Sequence, residues 1–141
     1  MKDKLLELAE RCEAASGPDR ELDADILETL DDERWRELER EAALPCGAPP
    51  DTVRKEARLR ASARYRFTAS LDAAMTLVPE GLWWQMTKAD GHIKAALHRA
   101  EPEPQNDWWA NCRAATPALA LCAASLRARA NEEPTSNKEA E

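Results

Sequence analysis

The chain has little of several things. Its 141 residues include one Phe, one Tyr, four Gly, two His and four Cys. No run of ~18 apolar residues occurs, which excludes a membrane-spanning helix on sequence grounds. The first residues, MKDKLLELAERCEAA, are charged throughout and contain no apolar segment of the kind a secretory signal needs, so a cytoplasmic protein is expected. Four glycines leave little material for a phosphate-cradling loop, and no P-loop, nucleophile-elbow, zinc-protease or dinucleotide glycine pattern is present. Cys12, Cys46, Cys112 and Cys122 form no C-x-x-C, and neither His92 nor His98 lies near a cysteine in sequence. Free buried thiols are therefore expected, with no metal site. Cys112 with His98 is a conceivable nucleophile and base, and Asp90, His92 and His98 are acid–base residue types around a turn. No spacing recommends either set, so no enzyme and no cofactor are expected.

What is present is charge, unevenly placed. The net formal charge is −7. Residues 19–41 alone sum to −7, with eleven acids against four arginines, whereas 42–131 carry twelve basic and eight acidic side chains. Arg54, Lys55, Arg58, Arg60, Arg64 and Arg66 face only Glu56 within thirteen residues. Two readings follow. An acidic and a basic helix pack and neutralise each other, or each is a solvated strip that meets a partner.

Hydrophobic spacing predicts mostly helices. Leu5, Leu8, Ala9 and Cys12 mark one over 2–15, stopped by Ser16-Gly17-Pro18. Asp19 caps a second through about Thr29, and Asp31 or Asp32 caps a third carrying Trp35, Leu38 and Ala42. After the break LPCGAPP (44–50), Asp51 opens a polar helix through about Arg64. Thr68 or Ser70 starts a short helix that ends at Pro79-Glu80-Gly81. LWWQMTKA and HIKAALHR then flank Asp90-Gly91, a two-residue hairpin signal over 82–99. That loop pairs Ala89 with His92, Met86 with Ala95 and Trp84 with Leu97. One face then holds Trp84, Met86, Ile93, Ala95 and Leu97, and the other Trp83, Gln85, Thr87, Lys94, Ala96 and His98. A helix over 92–100 is the rival assignment. Residues 101–106 read as an extended loop, DWWANCR (107–113) as a third short strand, and 117–130 as a helix capped by Thr116 with Pro117 in its first position. The expectation is one α+β domain over 1–130 and a disordered acidic tail over 131–141.

Three stretches resemble a group of small phage- and prophage-encoded proteins similar to the phage ABA sandwich domain. They are LLELAERCEAASGPDRELDADI (5–26), FTASLDAAMTLVPEG (67–81) and ATPALALCAASLRARA (115–130), together 53 of the 141 residues. The resemblance implies a small sheet lying between helices and implies no activity. Residues 31–66, the acidic and basic helices, stand as an insertion relative to that group. A sheet covered on both faces would place all four residues of Trp83-Trp84 and Trp108-Trp109 in the core, whereas a sheet covered on one face would expose one of each pair. The resemblance favours the first arrangement, with Trp35 in the insertion the tryptophan expected at the surface.

The functional expectation is a binding protein that docks on a host protein, including an anti-CRISPR-like inhibitor of a defence system whose nucleic-acid channel is basic. Its candidate contacts are Asp23, Asp31, Asp32, Glu33, Glu37 and Glu41, with Trp35 as apolar anchor. The alternative is nucleic-acid or nucleotide binding through Arg54, Lys55, Arg58, Arg60, Arg64 and Arg66. Those residues wrap around their helix instead of forming one strip, and the overall charge opposes such binding.

Overall fold

A computed structural model describes residues 2–43, 49–89, 91–99 and 108–132. The fold is α+β. Helix α1 spans Lys2–Ala14, α2 Arg20–Leu30, α3 Asp32–Ala43, α4 Pro50–Arg64 and α5 Leu71–Met75. Strands β1 (Leu82–Ala89), β2 (His92–Arg99) and β3 (Trp108–Ala114) precede helix α6 (Pro117–Glu132).

The helix starts follow local chemistry. Asp19 caps α2 by accepting the Leu22 N–H at 3.1 Å, and Asp31 accepts the Arg34 N–H at the start of α3 at 3.1 Å. Ser70 caps α5 through Ala73 N–H, and Thr116 caps α6 through Leu119 N–H. Helix α4 starts one residue before the expected Asp51, with Pro49 outside and Pro50 in the first turn, where a missing donor costs nothing.

The strands form one antiparallel sheet in the order β1-β2-β3. The hairpin has the register read from its turn, with Ala89 opposite His92, Met86 opposite Ala95 and Trp84 opposite Leu97. Gly91 takes φ +82°, the conformation that a two-residue hairpin loop demands and a glycine adopts without strain. The rival helix over 92–100 does not form, because in strand register the apolar residues of β1 and β2 share one face. Strand β3 continues the sheet, with Ala114 opposite Ile93, Cys112 opposite Ala95 and a register shift at Leu97/His98.

Helix α6 is the centre of the molecule. Sequence spacing suggests a stripe of Leu119, Cys122, Ala123 and Leu126, but every residue from Ala118 to Leu126 is buried, as are Ala128 and Ala130. The helix lies on β2 and β3, with α1 and α5 packed against its other sides. Alanines let those neighbours approach closely on all of these sides. Arg127 joins Glu13 of α1 through two hydrogen bonds of 2.8 and 3.0 Å. The helix continues through Asn131 and Glu132, two residues into the expected disordered tail, while 133–141, Cys46, Asp90 and the loop 101–107 lie outside the described residues.

Helices α3 and α4 pack on the body of the protein. Leu38 and Ala42 of α3 and Ala57 and Ala61 of α4 are buried, and α4 lies against both α2 and α3. Trp35 is also buried, at 6% exposure. This corrects the expectation that it is a surface residue. Positions 35, 38 and 42 share the one apolar stripe of α3, and that stripe faces α4 and the core.

The sheet is covered on one face only among the described residues. Ala95, Leu97, Cys112 and Ala114 are buried on the side of α6 and α1. On the opposite side Gln85, Thr87, Lys94 and Arg113 are exposed, with only the small Ala96 buried between larger neighbours. The arrangement is two-layered, so the expectation of four core tryptophans from a sandwich fails for Trp83 and Trp84. Trp83, on the open face, is 61% exposed, and Trp84 is 36% exposed although it points to the helix side, because α6 reaches β2 and β3 and not β1. The side chains of Trp108 and Trp109 lie outside the described part of the structure.

Candidate binding surface

The acidic and basic segments meet each other. Arg54 and Arg58 of α4 both reach Glu28 of α2, at 3.1 and 3.3 Å, and Arg58 also meets Glu21 at 2.8 Å and Asp25 at 2.9 Å. Arg60 and Arg64 share Glu41 of α3 at 3.2 and 2.9 Å, and Arg60 also holds Glu56 one turn away. Four of the six candidate phosphate-binding residues thus already face carboxylates. Lys55 and Arg66 are exposed; burial raises the Asp23 carboxyl, and Arg66 lies close enough to offset part of that rise. The arginines wrap around α4 because they serve two neighbouring helices, α2 on one side and α3 on the other. The neutralisation reading holds, and a basic strip for phosphates does not form.

Asp25 is the knot of this lattice. It accepts Arg11 Nη1 of α1 at 2.6 Å and faces Arg58 of α4, so one carboxylate ties three helices. Burial alone would push its carboxyl up, but the hydrogen bonds and charges of Arg11 and Arg58 outweigh burial and hold it below the ordinary carboxylate range. A folded value below the unfolded value of about 3.9 means that its contribution is present above that pH and lost as pH falls through the folded value. Asp25→Asn is expected to lower stability at pH 7 by about 1–3 kcal/mol and to flatten the acid limb of the stability profile. Urea denaturation between pH 7 and pH 3 reads both effects.

The candidate partner contacts separate into three groups. Asp23 and Trp35 are buried and do not reach the surface, which corrects their assignment to a docking strip. Asp23, at 2% exposure, accepts both the Thr68 N–H and the Thr68 hydroxyl at 2.8 Å, fastening α2 to the segment before α5. Glu41 is occupied by Arg60 and Arg64, Asp31 caps α3, and Asp32 pairs with Arg36 at 3.3 Å on the same helix. Glu33 and Glu37 are exposed on α3. The acidic strip therefore shrinks to a short stretch of one helix that also carries Arg36.

A surface of different character lies on the sheet. Strand β1 pairs only with β2, and its other edge meets no described strand. Exposed backbone edges are templates for pairing, and natural proteins usually keep large apolar side chains away from them. Here Trp83 stands on that edge strand, and the same outer face carries Gln85, Thr87, Lys94 and Arg113. Thr87, Lys94 and Arg113 are aligned across the three strands by the register. The outer face thus has an aromatic end and a cationic end. The signal was present in the Trp83-Trp84 doublet and the hairpin register. What hid it was the assumption that helices cover both faces.

No group of His, Cys, Asp and Glu side chains that could hold a metal ion forms among the described residues. Cys112 is buried under α1 and α6. Burial, followed by the nearby Glu13 carboxylate, pushes its thiol up to about 12, so it is no thiolate at neutral pH. The Cys122 thiol lies 3.2 Å from the Phe67 carbonyl, and its neighbour Cys12 together with burial raises its pKa strongly. No helix among the described residues is long and apolar enough to cross a membrane. No family model, curated protein or solved structure matches the chain.

Proposed function

We propose that this chain is a non-enzymatic binding protein whose docking surface is the outer face of its sheet, with Trp83 at one end and Lys94 and Arg113 at the other. The observation that carries this reading is the exposure of Trp83 on an edge strand whose outer face no described helix covers. Tryptophan and arginine are the residue types that dominate interface energetics, and a face with an aromatic end and a cationic end fits an apolar patch that is acidic along one side. The likeness of 5–26, 67–81 and 115–130 to phage and prophage proteins supports a host protein as that partner. Inhibition of a host defence system in the bacterial cytoplasm is the corresponding outcome. Nucleic-acid binding through α4 has less support, because Arg54, Arg58 and Arg60 are spent on Glu21, Asp25, Glu28, Glu41 and Glu56.

Affinity capture from bacterial lysate, with partners identified by mass spectrometry, tests the reading when three variants run beside the unaltered chain. Trp83→Ser is expected to weaken capture by about thirtyfold, the scale of an interface hot spot. Lys94→Glu with Arg113→Glu is expected to weaken it too, whereas Glu33→Lys with Glu37→Lys leaves it unchanged. Capture lost only in the α3 variant would return the docking surface to the acidic strip.

A further inference from the structure

A cleft of about 510 Å³ opens where the end of α2, the start of α3, the end of α4, the α5 segment and the end of α6 meet. Its volume falls in the range of small-molecule sites, roughly 300–1,000 Å³. The floor is apolar: Leu27, Phe67 and Leu77 are buried, and Leu30 and Ala73 are half-buried. Tyr65 forms an aromatic wall, its ring stacked on Phe67 at 6.1 Å between centroids.

Three guanidinium groups, those of Arg34, Arg64 and Arg129, line it together with the Asp31 carboxylate. The cations are also held in place. The Arg34 guanidinium sits over the Tyr65 ring, 5.7 Å from its centroid, and meets Asp31 only through Nε at 3.4 Å. Glu41 braces Arg64 from outside the cleft, at 2.9 Å from Nη2 and 3.4 Å from Nη1. Arg129 donates Nε–H to the Leu77 carbonyl at 2.9 Å, which fixes its planar group at the rim. A guanidinium carries five N–H donors, and a braced one loses little freedom when it meets an anion.

We infer that this cleft binds a small amphipathic anion, a carboxylate or phosphate carried on a flat apolar body. The body lies against Leu27, Leu30, Phe67, Leu77 and Tyr65, and the anionic end meets Arg34 and Arg64. The inference is independent of the sheet-face reading, since no residue of the cleft lies on the sheet.

Isothermal titration calorimetry of the full chain with 1-naphthoate, 1-naphthyl phosphate and neutral 1-naphthol tests it. At least one anion is expected to bind at a single site with Kd below about 1 mM, and 1-naphthol at least about tenfold more weakly. The stronger of the two anions identifies the headgroup. Arg34→Gln, at an exposed position, is expected to cost about tenfold with an unchanged melting temperature, and Ala73→Phe, which fills the floor, to remove binding. Trp83→Ser is expected to leave the titration unchanged. The inference is overturned if neither anion binds below about 1 mM, if 1-naphthol binds as well as the anions, or if Arg34→Gln binds like the unaltered chain.

Discussion

Replacing Trp35 with alanine is expected to lower the free energy of unfolding by about 3–5 kcal/mol, the range found when a large aromatic leaves a packed core. The side chain shares the buried cluster with Leu38, Ala57 and Ala61, where α3 meets α4. Alanines around it cannot collapse into the space it leaves, because α3 and α4 are also held apart by the Arg60–Glu41 and Arg64–Glu41 pairs. Chemical denaturation followed by circular dichroism gives the value. Trp83→Ala makes the contrast: at 61% exposure it is expected to change stability by less than about 1 kcal/mol. The two substitutions together tell a tryptophan that builds the fold from one that the fold displays. A small loss for Trp35→Ala would mean that α3 is only loosely attached and that Trp35 is available to a partner after all.

Asp23→Ala is expected to cost about 2–4 kcal/mol, because it orphans the Thr68 N–H in a buried site and removes the nearer of two acceptors for the Thr68 hydroxyl, leaving the Asp19 carbonyl at 3.2 Å. Thr68, at 1% exposure, gives its N–H and its hydroxyl proton to Asp23 Oδ1 at 2.8 Å, and its oxygen accepts the Asp19 N–H at 2.8 Å. Three residues thus close a loop between the first turn of α2 and the chain that leads into α5. Asp23→Asn keeps an acceptor oxygen for both donors and removes a buried charge. It is expected to stay within about 1 kcal/mol of the unaltered chain at pH 7. Burial raises the Asp23 carboxyl above its ordinary value, more than the Thr68 hydrogen bonds lower it. A raised folded value favours folding at low pH and loses that contribution as pH rises through it, the opposite sign to Asp25. Asp23→Asn should remove this opposing slope, so the variant loses stability on acidification more steeply than the unaltered chain does. An asparagine as costly as the alanine would show that attraction to Arg66 matters more than the hydrogen bonds.

Elements whose local chemistry agrees with their packing were legible. The caps Asp19, Ser70 and Thr116, the Asp90-Gly91 turn and the pairing of Trp84 with Leu97 each follow from a few neighbouring residues. The charge lattice was legible as one of two alternatives, since composition shows opposite signs but not which side chains meet. The role of Asp23 was not. A carboxylate on an acidic helix looks like its ten acidic neighbours between 19 and 41, and only Thr68, 45 residues away, distinguishes it. Trp35 was misplaced because its surroundings in sequence are almost wholly charged, although its spacing to Leu38 and Ala42 was helical. The cleft was beyond sequence reasoning altogether. Its arginines come from three helices, and none stands out where it occurs.

Helix α6 carries a further implication, for how the chain is made. The central element is assembled from residues 117–132, and α1, made well before it, has α6 as its main neighbour. Leu5, Leu8 and Cys12 therefore lack most of their cover until synthesis has passed Ala130. Domains commonly start folding while the rest of the chain is still emerging, at about 5–20 residues per second. Here the joining of α1 to α6 defers completion until α6 has emerged, and leaves the apolar face of α1 for chaperones to shield in the interval.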